Sequence, residues 1–346
     1  MKAITVGSAT VDVIATVPSA DIERMTLQNR HTSFLLLEPG KKVDARSVVR
    51  QTGGGAINAA VSLSRQGFKV AALVKLGADP DAETILSCLR DEGIDTSLVR
   101  HSETETTAVS VMIASHDRNA AIFTHRGANR TMEVADVPVA AFSGAGLVYV
   151  TNLSNASVER FPDILARAKT ASAFVAVNPG ILQLTQKTNE FFDNLRNADL
   201  FTCNFDEARV LVPTLVDRMG WDKHEGQAHG EGPLPELTIE GFHLPLEDYF
   251  RRVHNHGPRF VAVTMGGDGA YLSDAQNGIH FEPTLEVEVV GTAGAGDAFA
   301  STLAGSLVRG LPIAAAAKLA ARNAASVVSF IDTQTGLLTL DALEKS

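Results

Sequence analysis

The sequence predicts an α/β protein in which a central, mostly parallel β-sheet is covered by helices on both faces. Three observations carry this prediction: short β-branched runs recur along the chain, helical stretches lie between them, and each run is mostly apolar without alternation of polar and apolar residues. Strands that are apolar on both faces are typical of parallel sheets covered on both sides. With 346 residues and 45% hydrophobic content, the chain can bury a full core, and we predict one domain over residues 1–346.

The strands and helices of this domain are predicted in alternation. The strand runs, in chain order, are AITVG (3–7), VAALV (70–74), LVYVT (147–151), AFVAV (173–177), ADLFTC (198–203) and FVAVT (260–264). The helical patterns between them cover residues 56–65, 82–91, 158–169 and 247–256. An alternation of strands and helices favours a layered α/β domain.

Two regions interrupt this alternation and are interpreted as a small β lid. They are residues 13–51, where SFLLLE lies between polar stretches, and residues 104–126, where TTAVSVMIA and NAAIFTH resemble an antiparallel pair. Strands of this kind beside a parallel core can form a small sheet that covers a cleft.

A third irregular region, residues 213–246, is interpreted as a loop insertion, because it combines Pro, Gly and His residues with little periodicity. His224 and His229 are five residues apart, and no His-Glu-x-x-His pattern or Cys/His cluster accompanies them. A solvated insertion is therefore favoured over a metal site.

Charge and cysteine content exclude several classes of function. The formal net charge of −10 is a poor match to a nucleic-acid backbone, so no nucleic-acid partner is expected. The two cysteines, Cys88 and Cys203, are far apart in sequence and indicate neither a disulfide framework nor a zinc site. Polar residues interrupt the N-terminal apolar run, and no segment approaches the roughly 18 apolar residues of a membrane span. We expect a cytoplasmic protein with no membrane partner.

The most informative segment is VVGTAGAGDAFASTLAGSLVRG, residues 289–310, where small residues lead into a helix. Small residues let the backbone approach a ligand, and the unpaired amides of a first helical turn attract anions. Asp297 follows this loop, and it either accepts a proton from a hydroxyl that attacks a phosphoryl group or caps the helix. The loop alone leaves both interpretations open.

Other phosphate-binding motifs do not fit the sequence. A P-loop would need the pattern G-x-x-x-x-G-K-[ST], which is absent, and G-A-G-D-A-F lacks the third glycine of a dinucleotide fingerprint. A nicotinamide-dependent dehydrogenase is therefore disfavoured.

Together with this loop, further segments resemble the ribokinase family, also called the PfkB carbohydrate kinases. GGGAINAAVSLSRQG (53–67) is similar to the N-terminal signature of the family, and TAGAGDAF (292–299) is similar to its C-terminal signature. NFDE (204–207) resembles the N-x-x-E motif, and TMGGDGA (264–270) resembles the strand and turn on the nucleotide side. The resemblance implies a ribokinase-like fold with a β lid and transfer of the γ-phosphate of ATP to a substrate hydroxyl.

By this resemblance, Asp297 is the catalytic base, and Gly294, Ala295 and Gly296 form the anion hole. Asn204 and Glu207, three residues apart, resemble the family's pair that holds Mg²⁺, mainly through water. Without the resemblance, an asparagine N-cap followed by a surface glutamate would explain these two residues.

The resemblance also predicts binding residues for both substrates. Gly53, Gly54, Asn58 and Asp12 are assigned to the acceptor, although Asn58 as a helix cap and Asp12 as a turn residue are alternatives. Five residues are assigned to the nucleotide, namely Asn204, Thr264, Gly266, Gly269 and Asn323. Packing of an Ala-rich helix over residues 314–329 would explain Asn323 as well.

The sequence departs from the family at two positions. Gly291 stands where the family usually has an aspartate that helps to form a monovalent-cation site. Glycine cannot supply this carboxylate, so stimulation by K⁺ is not expected from the resemblance. Gly55 stands where ribokinase has a lysine, so ribose is not the favoured acceptor.

The nature of the acceptor stays open. A sugar phosphate would need basic groups, for which Lys41, Lys42, Arg126 and Arg130 are candidates. A nucleoside would need an apolar or aromatic lid surface, for which Phe34 and Phe123 are candidates. The leading hypothesis is a sugar or sugar-phosphate kinase, followed by a nucleoside kinase and then by a catalytically silent sugar-binding regulator. The family also implies a homodimer formed through the lid.

Overall fold

The computed structural model describes residues 1–18, 23–27, 32–36, 40, 42–114, 120–220 and 234–345, with the backbone alone for 23–27, 32–36, 114 and 120. In chain order the strands are β1 (Lys2–Val6), β2 (Thr10–Thr16), β3 (Glu23–Leu27), β4 (Thr32–Leu36), β5 (Ser47–Gly53), β6 (Lys69–Leu73), β7 (Lys75–Leu76), β8 (Arg100–His101), β9 (Ala108–Ala114), β10 (Ala120–His125), β11 (Leu147–Thr151), β12 (Phe174–Asn178), β13 (Leu200–Asn204), β14 (Glu236–Ile239), β15 (Phe242–Pro245), β16 (Phe260–Thr264), β17 (Ala270–Asp274) and β18 (Gly278–Glu282). The α-helices are α1 (Gly55–Arg65), α2 (Pro80–Asp91), α3 (Phe161–Thr170), α4 (Ile181–Gln186), α5 (Thr188–Asn194), α6 (Phe205–Met219), α7 (Leu246–His254), α8 (Ala295–Val308), α9 (Ile313–Val327) and α10 (Leu340–Glu344).

The central sheet has the strand order β18-β17-β16-β13-β12-β11-β1-β6. Strands β16 to β6 are parallel to one another, whereas β17 and β18 add an antiparallel edge. All six predicted strand runs lie in this sheet, which confirms the α/β prediction. The parallel strands end at a common edge, and in open α/β sheets ligands bind beyond the carboxyl ends of the strands.

Helices cover both faces of the sheet, because neighbouring residues of a strand point to opposite sides. On β11, Leu147 and Tyr149 pack with α1, α2, α8 and α9, whereas Val148 and Val150 pack with α3, α5, α6 and α7. The continuous apolar runs of the sequence therefore reflect two separate hydrophobic cores.

A second sheet, with the order β10-β9-β2-β5, corresponds to the predicted lid. The antiparallel pair predicted within residues 104–126 is β9 with β10, and β9 also pairs in parallel with β2. The sheet extends beyond the predicted range of 13–51 at both ends, since β2 begins at Thr10 and β5 ends at Gly53. Both of these ends lie close to Asp12 and Gly54, which are predicted to bind the acceptor.

The predicted loop insertion needs a correction at both ends. Helix α6 continues through Pro213 to Met219, because the buried residues Leu211, Val212 and Leu215 keep the helical spacing and pack into the core. Strands β14 and β15 form a hairpin whose two-residue turn, Glu240 and Gly241, has positive φ angles of 48° and 86°. His224 and His229 lie outside the described residues.

Among the helices that the structure describes, none has the length and apolar character needed to cross a bilayer.

Candidate active site

A cavity of about 220 Å³ lies beyond the carboxyl ends of β11, β12, β13 and β16, where the N-terminus of α8 faces these strands. Its lining includes Asp297, Asn204, Glu207 and Thr264, together with Gly294 and Gly296. The sequence placed these residues in three separate motifs, and the fold brings them to one cavity.

Helix α8 begins in the manner predicted for an anion site. Gly294 is its N-cap and has a left-handed φ of 82°, and a Cβ atom there would lie 2.7 Å from the Cβ of Thr333. Ala295 and Gly296 form the start of the first turn, whose amides have no intrahelical acceptor. A Cβ at Gly296 would meet no atom within 4 Å, so this side of the turn is open. The helix end can therefore receive an anionic group.

Asp297 is the third residue of α8, and since Gly294 is the N-cap, Asp297 does not cap the helix. Its Oδ2 accepts a hydrogen bond of 2.8 Å from Nδ2 of Asn58. Burial raises the pKa of Asp297, and the hydrogen bond from Asn58 acts in the opposite direction. A carboxylate with a raised pKa is a stronger proton acceptor, which suits a general base.

Asp12 and the paired glycines are the residues predicted to bind the acceptor. Asp12 belongs to β2 rather than to a turn, is 7% exposed, and accepts a hydrogen bond of 3.1 Å from Oγ1 of Thr10. Burial raises the pKa of Asp12 as well. A Cβ at Gly53 would lie 1.9 Å from Oδ2 of Asp12, and Gly54 has a φ of 89°. Gly53 thus gives this carboxylate its space, whereas Gly54 lies against the backbone of Ser8 and Ala9.

Asn58, which the resemblance predicts to bind the acceptor, is held by side chains of the protein. It lies inside α1 and is 3% exposed, so it is not a helix cap. Its Oδ1 accepts hydrogen bonds from Oγ1 of Thr333 at 2.9 Å and from Nε2 of Gln334 at 3.0 Å, while its Nδ2 faces Asp297. The structure places Asn58 against the carboxylate of Asp297.

Asn204 and Glu207 form a capping box at the start of α6 and also line the cavity. The amide of Glu207 donates to Oδ1 of Asn204 at 2.8 Å, and the amide of Asn204 donates to Oε2 of Glu207 at 2.9 Å. Burial raises the pKa of Glu207, and the hydrogen bond from the Asn204 amide lowers it in part, so that the pKa is about 6. The structural and the functional interpretations of this motif are therefore compatible.

The oxygen atoms of Asn204 and Glu207 fit a Mg²⁺ ion, which prefers hard oxygen ligands. Within the described parts of the chain, no three His, Cys, Asp or Glu residues are grouped so that they could hold a metal ion. Mg²⁺ commonly keeps several waters and binds through one or two carboxylates plus substrate phosphates, and this donor set suits such a mode.

A larger cleft of about 510 Å³ adjoins the cavity and contains the other predicted nucleotide residues, Thr264, Gly266 and Gly269. Gly266 and Gly269 have positive φ angles of 59° and 103°, and a Cβ at Gly269 would lie 2.5 Å from the carbonyl oxygen of Glu282. The apolar wall of the cleft comes largely from α8 and α9 and includes Phe299, Ala321, Ala324, Ala325 and Val328. Such a wall is suited to a planar base.

The predicted nucleotide contact of Asn323 is corrected by the structure. Asn323 is fully buried on α9, and its Nδ2 donates to Oγ1 of Thr302 at 2.8 Å and to Oγ of Ser62 at 3.3 Å. Its Oδ1 accepts from the amide of Leu338. The next residue, Ala324, lines the cleft, because one helical position rotates a side chain by about 100°. Asn323 therefore contributes to packing.

Sequence reasoning missed two asparagines of the cavity, Asn152 and Asn178. Nδ2 of Asn178 donates to the carbonyl oxygen of Thr202 at 2.9 Å. A signal for both was available, since each asparagine directly follows an apolar run predicted to be a strand. No local signal marked Thr333 or Gln334.

The candidate acceptor-selecting residues are only partly described. Arg130 pairs with Glu105 at 2.9 Å, and Arg126 and Lys42 are exposed. Phe123 lies on the lid strand β10 and is 55% exposed. Lys41 and the side chain of Phe34 lie outside the described residues.

This fold and site are those of an α/β small-molecule kinase. A family model described as pfkB family carbohydrate kinase matches residues 3–340, and the chain belongs to this family. It is 26% identical over 296 residues to a 2-dehydro-3-deoxygluconokinase of Bacillus subtilis, with 84% of each chain covered. It is 27% identical over 254 residues to an ATP-dependent ribose-1-phosphate kinase of Halopiger xanaduensis, with 73% of this chain and 72% of that one covered.

Solved structures show the same fold. The ribokinase of Arabidopsis thaliana, solved with ribose and ATP, superimposes with a TM-score of 0.74 over 99% of both chains at 21% identity.

Proposed function

We propose that this protein transfers the γ-phosphoryl group of ATP to a hydroxyl of a sugar or a sugar phosphate, with Asp297 as the general base. The observation that carries the proposal is the position of Asp297, which lies on the anion-binding turn of α8 and lines the cavity that adjoins the nucleotide-sized cleft. The relatives named as kinases of a sugar acid and of a sugar phosphate support this substrate class.

In the proposed reaction, a carboxylate oxygen of Asp297 accepts the proton of the acceptor hydroxyl. The hydroxyl oxygen forms a bond to the γ-phosphorus, the bond from the γ-phosphorus to the β,γ-bridging oxygen breaks, and ADP leaves with that oxygen. The amides at Ala295 and Gly296 stabilise the charge on the transferred group. The proton on Asp297 then passes to solvent, which regenerates the base.

Asn204 and Glu207 are proposed to hold Mg²⁺, mainly through water, near the phosphates of ATP. When bound, this ion neutralises charge on the phosphate oxygens. The carboxylate of Asp12 is proposed to accept hydrogen bonds from other hydroxyls of the acceptor and so to select the one that faces Asp297.

We also propose a homodimer formed through the lid. Large apolar side chains are exposed on the lid sheet, and two of them, Val111 and Phe123, lie opposite each other on β9 and β10. Exposed apolar patches on a sheet favour association.

An ADP-release assay with wild-type protein, Mg²⁺ and ATP across free sugars, sugar acids, sugar phosphates and nucleosides tests the proposed reaction. Turnover with a sugar, a sugar acid or a sugar phosphate is the expected result. Turnover confined to nucleosides would contradict the proposed acceptor class and show that the protein is a nucleoside kinase. Saturable binding of sugars without turnover would instead support the silent regulator and contradict the proposed function.

A further inference from the structure

A buried chain of hydrogen bonds connects the lid strand β5 with Asp297. Its members are Thr52 at the end of β5, Asn58 on α1, and Thr333 and Gln334 in the segment after α9. Thr333 is 6% exposed and Gln334 is 8% exposed. Polar groups in such a dry environment are held strongly in the orientation that satisfies them.

The direction of this chain is set by a backbone carbonyl. The carbonyl oxygen of Thr52 can only accept, and Nε2 of Gln334 donates to it at 2.9 Å. This fixes the Gln334 amide with its oxygen toward Oγ1 of Thr52, which donates to it at 3.0 Å. Nε2 of Gln334 is then also directed toward Asn58 and donates to Oδ1 at 3.0 Å.

Thr333 gives Asn58 a second donor on the same side. Its Oγ1 donates to Oδ1 of Asn58 at 2.9 Å. With two donors at Oδ1, the opposite orientation of the Asn58 amide would place its N–H groups against the N–H of Gln334. Nδ2 of Asn58 is therefore turned to Asp297, where it meets Oδ2 at 2.8 Å.

We infer that Thr333 and Gln334 are positioning residues for the base: they orient the Asn58 amide so that it holds Oδ2 of Asp297 and leaves Oδ1 for the acceptor hydroxyl. The inference rests on the proposed function of Asp297. Thr333 also packs against Gly294, so one residue contacts both the anion-binding turn and the partner of the base. Because Asn58 uses one carboxylate oxygen, the orientation of the Asp297 side chain is fixed before the acceptor binds.

The orientation of Asn58 is tested without activity, by NMR of protein labelled with ¹⁵N-asparagine and assigned with Asn58→Asp. In the wild type, we expect the two side-chain N–H protons of Asn58 to be well separated in shift, since one is bonded to Asp297. Thr333→Val and Gln334→Met remove one donor each, and the double variant should collapse this separation. Thr335→Val, at an exposed position of the same segment, is the matched control and should change nothing. An unchanged Asn58 signal in the double variant would overturn the inference.

Kinetics test whether this orientation serves catalysis. Each single variant should lower kcat about 10- to 100-fold, because a small misplacement of a catalytic group commonly costs this much, with the KM values for ATP and acceptor within about twofold of the wild type. Thr333→Ser keeps the hydroxyl and should restore most of kcat. In an Asp297→Asn background, neither variant should lower kcat further, because residues that act through one group are not additive.

The results that contradict the inference are separate from those that contradict the proposed function. The same loss in the Asp297→Asn background as in the wild type, or a loss carried by KM alone, would show a structural role and overturn the inference. A wild type without transfer activity would overturn the proposed function, and the NMR experiment would still decide the orientation of Asn58. Thermal unfolding of each variant separates a local change from loss of the fold.

Discussion

At the scale of single residues, three carboxyl groups of the candidate site have raised pKa values, and burial is the largest cause for each. Each carboxylate accepts a hydrogen bond from a different kind of donor. The donor is a hydroxyl group for Asp12, a side-chain amide for Asp297 and a backbone amide for Glu207. Desolvated carboxylates that face one region repel each other. Acceptor hydroxyls at Asp12 and a cation at Glu207 would relieve this repulsion, which fits the roles proposed for them.

Glu207 gives a pH prediction for Mg²⁺. Its pKa is raised to about 6, so the ionised form that binds a cation is lost as the pH falls through about 6. We expect the Mg²⁺ concentration for half-maximal turnover to rise about three- to tenfold between about pH 7.5 and about pH 5.5. In Glu207→Gln the requirement should be high at both pH values and nearly independent of pH. A pH-independent Mg²⁺ requirement in the wild type would exclude Glu207 from the site of the ion.

At the scale of elements, the pairing of β2 with β5 determines the geometry of the acceptor side. Gly53 lies opposite Thr10 in this pair, and the carboxylate of Asp12 occupies the space above Gly53. Gly53→Ala would force Asp12 to move, because the new Cβ would overlap Oδ2.

We therefore expect Gly53→Ala to raise the KM for the acceptor by at least about tenfold and to leave the KM for ATP within about twofold. Steady-state kinetics with both substrates varied gives this comparison. Ser47→Ala, at the exposed far end of β5, is the control and should match the wild type. Equal effects on both KM values would mean that the change is not confined to the acceptor side.

The two faces of helix α9 give a second prediction at this scale. Ala325 lines the larger cleft, which is proposed to bind the nucleotide, whereas Ala315 is exposed on the same helix. Ala325→Phe should fill part of the cleft and raise the KM for ATP by at least about tenfold, with the acceptor KM little changed. Ala315→Phe adds the same side chain outside the cleft and should leave both values unchanged. Calorimetric titration with ATP provides an independent check. Unchanged affinity for ATP in Ala325→Phe would mean that ATP does not bind in this cleft.

Elements with a strong local pattern could be predicted from the sequence, and those defined by distant contacts could not. The run LVYVT matches β11 residue for residue, because both of its faces are buried. The predicted start of the loop insertion at residue 213 was wrong, since packing of Leu215 and Val216 outweighs the helix-breaking tendency of Pro213 and α6 continues to Met219. The resemblance to the family motifs predicts the roles of Asp297 and Asn204, and the sequence also predicts the N-cap that Asn204 forms. Thr333 and Gln334 carry no motif, and only the fold brings them to Asn58.

At the scale of the whole molecule, the layers bring distant motifs to one edge of the sheet. The parallel strands β11, β12, β13 and β16 all end at this edge, and the lid sheet joins the body through β2 and β5. The central sheet supplies the cavity, and the segment from Gly53 to Gly55 carries the chain from lid to helix α1. The residues proposed to bind the acceptor therefore lie where the two sheets meet.

The proposed dimer is a prediction at this scale. Light scattering should give twice the mass of one chain at micromolar concentration, because the lid sheet exposes Val111, Ile122 and Phe123. Phe123→Asp should shift the protein to the mass of one chain, whereas Val139→Asp, at an exposed site outside the lid, should not. A wild type that is monomeric at high concentration would contradict the proposed dimer.

The central claim, that Asp297 is the base, is tested most directly by the single-turnover rate of phosphoryl transfer in Asp297→Asn with a confirmed acceptor. The substitution keeps the size of the side chain and removes the proton acceptor. We predict a rate about 10²- to 10⁴-fold below the wild type with ATP affinity nearly unchanged, because loss of a general base affects the transition state more than ground-state binding. A transfer rate close to that of the wild type would contradict the proposed role of Asp297.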